Sequence, residues 1–290
     1  MPHPTLLTGL SQAAPRYDAI LCDVWGVVHN GREAFPQACA ALARYGAERG
    51  PVVLISNAPR PAAALYGQID GVGVPRAAWS DYVTSGDVTR ALLSERAALG
   101  AAWKVGPPRD DALYEGLDLA FAKGPEDAAF ISCTSAFDDE NDEPESYRPA
   151  FQLAAERGLE LICANPDRMV QKGDKLIWCA GALAEVYESL GGKVIMAGKP
   201  FAPIYRRGMD ALAPLLGRAP DPARVLCIGD GAHTDVRGAA EQGLDCLFLW
   251  GGVHAADLCG PDETPGVMHA GAFLERHNTA ATYAMPELIW

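Results

Sequence analysis

Long hydrophobic runs are absent from this chain. No stretch reaches the roughly 18 consecutive apolar residues of a membrane-spanning helix. Met1-Pro2-His3-Pro4 lacks the basic region and apolar stretch of a secretory leader, so neither a span nor a leader is expected. Positive charge is scarce: 24 Lys and Arg stand against 37 Asp and Glu, for a formal net charge of -13. A nucleic-acid binder needs a basic face for its phosphate contacts, so that class is set aside. A local cationic pocket for a small phosphorylated molecule remains compatible with the acidic whole. The eight cysteines, at positions 22, 39, 133, 163, 179, 227, 246 and 259, form no C-x-x-C pair and sit mostly inside apolar runs. They read as reduced, buried thiols of a cytoplasmic protein, with neither disulfides nor zinc. No G-x-x-x-x-G-K-[ST], H-E-x-x-H or G-x-S-x-G motif occurs, and no internal repeat is evident.

What the chain does have is material for a core. Apolar residues make up 49% of its 290 positions, enough for one large domain or two medium ones. Ala19 to Cys22 and Val52-Val53-Leu54-Ile55 read as strands, with a helix over Phe35 to Arg49 between them. Pro36 suits that helix's first turn and Gly50 its end. Pro61 to Ile69 predicts a second helix and Tyr82-Val83-Thr84 a third strand. This β-α-β-α-β order implies a parallel sheet with right-handed crossovers. Strands at Ala102 to Val105, Ala128 to Cys133 and Leu159 to Cys163, alternating with helices, read as an α/β insertion. The acidic run from Asp138 to Glu145 reads as a solvated loop, because it lacks the glycine and terminal spacing of a calcium loop. Val194-Ile195-Met196 and Val225 to Ile228 are expected to resume the first sheet, with Cys246-Leu247-Phe248-Leu249 as its last strand. The expected organisation is a discontinuous domain of residues 1–84 and 192–290, interrupted by a second of residues 85–191.

Four polar segments follow sheet strands: the Asp23 loop, Ser56-Asn57, Gly198-Lys199-Pro200, and Gly229-Asp230-Gly231-Ala232-His233-Thr234-Asp235. Each has a plain reading alone, as a turn, a surface lysine or a capping residue. Together they fit phosphoryl transfer. Asp23 can attack phosphorus and carry an aspartyl phosphate. Asp23, the carbonyl of Trp25 and Asp230 can ligate Mg2+, a hard cation that takes oxygen ligands. Ser56 and nearby backbone N–H groups can bind phosphate oxygens. Lys199 offsets the crowded negative charge, and Asp235 orients a metal-bound water or holds Lys199. Gly229-Asp230-Gly231 is a poor dinucleotide fingerprint, since Thr234 stands where the third glycine belongs.

The four segments, in this order, resemble the haloacid dehalogenase (HAD) superfamily and its class IIA branch, which includes nucleotide and sugar phosphatases. The matching residues are Leu21-Cys22-Asp23-Val24-Trp25-Gly26-Val27, Leu54-Ile55-Ser56-Asn57, Gly198-Lys199-Pro200 and Ile228 to Asp235. The insertion has the size and place of that branch's α/β cap, and Ala164-Asn165-Pro166-Asp167 resembles the cap's Asn-Pro-Asp element. The resemblance implies a Rossmann-like parallel-sheet core with an inserted C2a-type cap, Mg2+ dependence and hydrolysis of a phosphate monoester. It makes Asp23 the nucleophile, Ser56, Asn57 and Lys199 the phosphate-binding group, and Asp23, Trp25, Asp230 and Asp235 the metal-site residues. Asn165 and Asp167 are placed near the substrate's selecting groups, and the cap suggests a homodimer.

One departure stands out. HAD phosphatases usually carry a second aspartate two residues after the nucleophile, which protonates the leaving oxygen and later activates water. Here that position is Trp25, whose indole N–H is no acid-base near neutral pH. His29 titrates in the right range and is the sequence's candidate to substitute; His233 is a weaker one. The leading expectation is a cytoplasmic Mg2+-dependent phosphatase of a small phosphorylated metabolite, a sugar phosphate or nucleotide. The alternatives are a phospho-ligand-binding or regulatory protein with weak turnover, and a dehalogenase-like hydrolase.

Overall fold

The computed structural model describes residues 3–172, 175–253, 258 and 267–290. Cys259 lies outside the described residues. In chain order the strands are β1 (Thr5–Leu6), β2 (Ala19–Asp23), β3 (Val52–Ser56), β4 (Asp81–Thr84), β5 (Ala102–Val105), β6 (Phe121–Ala122), β7 (Phe130–Cys133), β8 (Glu160–Cys163), β9 (Met169–Lys172), β10 (Lys175–Trp178), β11 (Lys193–Met196), β12 (Val225–Gly229), β13 (Asp245–Leu249) and β14 (Tyr283–Met285). The helices are α1 (Pro36–Glu48), α2 (Tyr66–Gly71), α3 (Ser85–Arg96), α4 (Arg148–Glu156), α5 (Ala180–Ser189), α6 (Ala202–Leu216), α7 (Arg237–Glu241) and α8 (Val267–Arg276). Two compact units result: Met1–Ser56, Leu65–Val83 and Lys199–Trp290 in the first, Asn57–Ala64 and Thr84–Gly198 in the second.

The first unit is built on a seven-stranded sheet of order β1-β14-β13-β12-β2-β3-β4. Its central strands β2 and β12 are buried at every residue. That explains why they read as unbroken apolar runs, as strands covered on both faces must. From β2 the chain moves to β3 and β4 on one side; on its return it enters β12 and moves to β13 and β14 on the other. The direction reverses between β2 and β12. Helix α1 buries Ala38, Cys39, Ala41, Leu42 and Tyr45, one stripe at helical spacing.

The second unit holds a five-stranded sheet of order β11-β8-β7-β5-β6 and an antiparallel β9-β10 hairpin. Successive strand residues feed opposite faces, as the two-residue period requires. Trp103, Ile131 and Leu161 join one apolar cluster with Phe151, Leu183 and Tyr187. Ala102, Phe130 and Ile162 join the other with Leu93 and Leu113. The fold is α/β and Rossmann-like, with mostly parallel sheets.

Three expectations need correction. The run Val194-Ile195-Met196 does not resume the first sheet; β11 pairs in parallel with β8, Ile195 opposite Ile162, and the second unit extends through Gly198. Strand β13 is not the last: β14 pairs with it and β1 with β14. The helix expected over Pro61 to Ile69 is a 3-10 turn at Ala62–Ala64 followed by α2. Among the described residues no helix is long and apolar enough to cross a membrane, and the seven described cysteines are buried and unpaired.

Candidate active site

Register delivers the first two carboxylates. In the β2–β12 pair Ile228 stands opposite Cys22, so Asp23 and Gly229 come next and Asp230 follows at once beyond the strand. On the other flank Asp23 stands opposite Ile55, which puts Ser56 one step further along β3. In open parallel sheets, the crevice beyond the strand ends at a reversal of strand order is where ligands bind. After Gly231 a single π-helical turn, Ala232–Val236, brings Asp235 back to the same place. Asp235 Oδ2 accepts hydrogen bonds from Gly231 N–H at 3.1 Å and from the Thr234 hydroxyl at 3.2 Å. Such π turns recur at functional sites. Lys199 just precedes α6, whose Gly208 packs against the side chains of Leu21 and Ile55.

These residues meet. Carboxylate oxygens of Asp23, Asp230 and Asp235 all lie within 4.8 Å of one another, and all three residues are buried. Lys199, 3% exposed, donates to Asp23 Oδ1 and, at 2.8 Å, to Asp235 Oδ1. Asp230 is held from the loop after β13, where Val253 N–H donates to its Oδ2 at 2.7 Å. Two glycines leave it room. A Cβ on Gly26 would stand 2.1 Å from Asp230 Oδ2 and one on Gly252 2.2 Å from the same atom. Gly26 also has φ of 81°, a conformation glycine alone adopts freely.

Three carboxylates and one ammonium leave this buried space with excess negative charge. Burial first, then the Asp235 charge, pushes the Asp23 carboxyl well above the usual carboxylate range. The same two causes raise Asp230 to about 7. Burial works against the Lys199 ammonium, but the charges of Asp23 and Asp235 and their hydrogen bonds outweigh it and hold the lysine above its ordinary range. The donor set is all oxygen, buried and short of positive charge, which suits a hard divalent cation.

The remaining residues singled out by sequence have contacts of their own. Asn57, Asn165 and Asp167 belong to the second unit. There Asn57 Nδ2 donates to Asp167 Oδ1 at 2.9 Å, and Asp167 N–H donates to Asn165 Oδ1 at 3.0 Å. The Trp25 side chain is 40% exposed. Its ring meets that of His29 edge-on, centroids 5.4 Å apart. His29 is not an exposed loop histidine: it is 3% exposed, and its Nδ1 accepts the Gly31 N–H at 3.0 Å. Burial lowers its pKa, so the ring is neutral at pH 7, with its acceptor nitrogen committed to the loop. His233 is exposed and packs edge-on against His277. Sequence reasoning does not single out Gly252, Val253 or the Thr234 hydroxyl. The glycine pair after β13 was the available signal, and it reads only as a turn.

Comparison with known proteins follows the same lines. A family model described as haloacid dehalogenase-like hydrolase matches residues 20–120, and one described as HAD-hydrolase-like matches residues 196–269. No curated protein matches the chain. Among solved structures, a hydrolase of the haloacid dehalogenase-like family from Brucella suis 1330 is 43% identical with a TM-score of 0.85, over 98% of this chain and 100% of that one. A possible sugar phosphatase of the HAD superfamily from Cytophaga hutchinsonii is 18% identical, TM-score 0.78, over 99% of each chain. A 4-nitrophenylphosphatase from Thermotoga maritima is 20% identical, TM-score 0.67, over 94% of this chain and 95% of that one. With strand order, carboxylate cluster and a full-length relative in agreement, this chain belongs to the haloacid dehalogenase-like hydrolase family.

Proposed function

We propose that the chain is a Mg2+-dependent phosphatase of the class IIA type, acting on a small phosphorylated metabolite such as a sugar phosphate or nucleotide, with the second unit as its C2a-type cap. The convergence of Asp23, Asp230, Asp235 and Lys199 in one buried cluster carries this reading. The phosphatases among its structural neighbours and the net charge of -13 support a small substrate over nucleic acid.

Asp23, Asp230 and the Trp25 carbonyl would hold the metal. Bound there, Mg2+ neutralises charge and acts as a Lewis acid toward phosphoryl oxygens. Asp235 has other work: one oxygen takes Lys199 and the other takes Gly231 and Thr234, so it positions the lysine. An Asp23 oxygen attacks phosphorus, the phosphorus–ester oxygen bond breaks, and the departing oxygen takes a proton from solvent water. Lys199 stabilises the charge spread over the transferring group. Water then cleaves the aspartyl phosphate, releasing phosphate and restoring Asp23. Ser56 contributes phosphate binding from the end of β3. Hydrolysis of a phosphate-ester panel with and without Mg2+ tests this. Asp23→Asn is expected to abolish it, and retained activity in a clean preparation refutes the nucleophile.

A second reading, weak turnover with retention of the phosphoryl group, is favoured by one observation. Neither Trp25 nor the Gly31-bonded His29 offers a group to activate water, and loss of such a group costs about 10²–10⁴-fold in rate. Acid quench with labelled substrate separates the two. Efficient hydrolysis leaves little label on Asp23, whereas slow release leaves stoichiometric label that Trp25→Asp discharges.

A further inference from the structure

The second unit repeats the strand reversal seen in the first. All described pairs of its five-stranded sheet are parallel. From β5 the chain goes to β6 on one side; from β7 it goes to β8 and then β11 on the other. The reversal therefore falls between β5 and β7, and the crevice beyond their carboxyl ends is the expected ligand position. Asp110 stands in the 3-10 turn after β5, and Thr134 directly follows β7.

Both side chains are buried, at 3% and 1% exposure, and among the described residues neither Asp110 Oδ2 nor Thr134 Oγ1 completes a hydrogen bond. Gly106, directly after β5, makes room for Thr134. A Cβ there would lie 2.0 Å from Thr134 Oγ1, and the φ of 152° favours glycine. A buried polar atom without a partner costs free energy, and each one in a folded protein calls for an explanation. Burial raises the Asp110 carboxyl; the Thr134 hydroxyl beside it, the Arg109 guanidinium with its Nε 4.0 Å from Oδ1, and the charge of Arg60 partly offset it, yet Oδ2 completes no hydrogen bond among the described residues.

The charges nearby select the kind of group that completes it. Arg109, fixed by its ion pair with Asp139, and Arg60 both act on Asp110, so a cationic ligand meets two guanidiniums. An anionic ligand meets Asp110 and Asp139. A neutral hydroxyl donates to a carboxylate oxygen and accepts from threonine, satisfying both atoms at once. We propose that the β5–β7 end of the second unit binds hydroxyl groups of a sugar or polyol through Asp110 and Thr134. That this sugar is the organic part of the phosphorylated substrate rests on the function proposed above; binding of the sugar does not.

Amide shifts of Asp110 and Thr134 in the full chain test this, with glucose, sorbitol, ribose, glucose 6-phosphate and inorganic phosphate as probes. Sugars are expected to shift both amides and inorganic phosphate neither. Asp110→Asn and Thr134→Val, both near-isosteric, are expected to weaken sugar binding at least about tenfold. Melting reports on the fold: Asp110→Asn removes a buried charge and is expected to hold or raise Tm. Silence of both amides to every sugar overturns the proposal. So does unchanged sugar binding in Asp110→Asn, or a lowered Tm with binding retained, which marks a structural carboxylate. Sugar binding at these amides without any Mg2+-dependent hydrolysis supports this site while refuting the phosphatase reading.

Discussion

Asp230 couples protons, metal and stability. Its carboxyl titrates at about 7 in the folded chain because of burial and the Asp235 charge, and near 3.9 once unfolded. Between these values the folded chain keeps a proton that the unfolded chain releases. Stability from this group is therefore full below about pH 4 and lost as pH rises through about 7. About 3 pK units at about 1.4 kcal/mol each give on the order of 4 kcal/mol. Asp23, raised by burial and by Asp235, acts in the same direction. The histidines oppose this: burial lowers His29, and partial desolvation with the nearby charges of His277 and Arg237 lowers His233, so their stability is lost as pH falls below about 6.5. Asp18, lowered to about 2 chiefly by its hydrogen bond from Arg224, matters only below about pH 4. Subtracting Asp230→Asn from the native protein at each pH removes the histidine and Asp18 backgrounds, while Asp23, raised in part by the Asp230 charge, adds to the difference in the same direction. In chelator, the difference curve is expected to fall by about 5–10 °C from about pH 5 to about pH 7, the part of the loss that remains above pH 5, at about 2–4 °C per kcal/mol, and to level off by about pH 8. On the Mg2+ reading, the cation replaces the proton, so its stabilisation is greatest near pH 8 and fades toward pH 5. Calorimetric melting measures both. A flat difference curve, or a Mg2+ shift equal at the two ends, refutes the reasoning.

Other expectations concern single residues. Gly252→Ala sets a Cβ against Asp230 and is expected to erase the Mg2+-induced rise in Tm; a full rise in that variant contradicts the described packing. Lys199→Met is expected to lower kcat about 10²–10³-fold, and Lys199→Arg not to restore it, because a fork does not fit a buried ammonium site. Loss below about tenfold removes Lys199 from charge stabilisation. Burial raises the thiols of Cys22, Cys133, Cys163, Cys179, Cys227 and Cys246, so native protein is expected to resist maleimide there. Rapid native labelling of these positions by mass spectrometry speaks against the packing.

The fold was legible where burial on both faces forces unbroken apolar sequence, as in β2, β3 and β12. Val194-Ile195-Met196 shows the limit. A run of this kind announces a strand but not its neighbour, and only pairing with β8 assigns it to the second sheet. Strand β14 was invisible for a related reason. Three residues carry little periodic signal, and Tyr283 to Met285 become a strand through pairing with β13.

The candidate site was legible because its chemistry sits at strand ends. Asp23 and Asp230 each follow an apolar run, and a parallel register then brings them together without further information. Groups that act through shape left no such mark. Gly26 and Gly252 matter for the side chains they lack, and His29, attractive by its ordinary pKa, is spent on Gly31 N–H. Asp110 and Thr134 were hidden for a third reason. Nothing separates Asp110 from its neighbour Asp111 by residue type, and the sequence cannot say that the chain reverses direction between β5 and β7. Lys104 pairs with Asp111, and Arg109 with Asp139. Among the described residues, Asp110 Oδ2 is the one of these carboxylate atoms left buried without a partner. A carboxylate paired weakly through one oxygen, with Arg109 at 4.0 Å, and left open at the other is the pattern expected when stability is given up to hold a binding group in place.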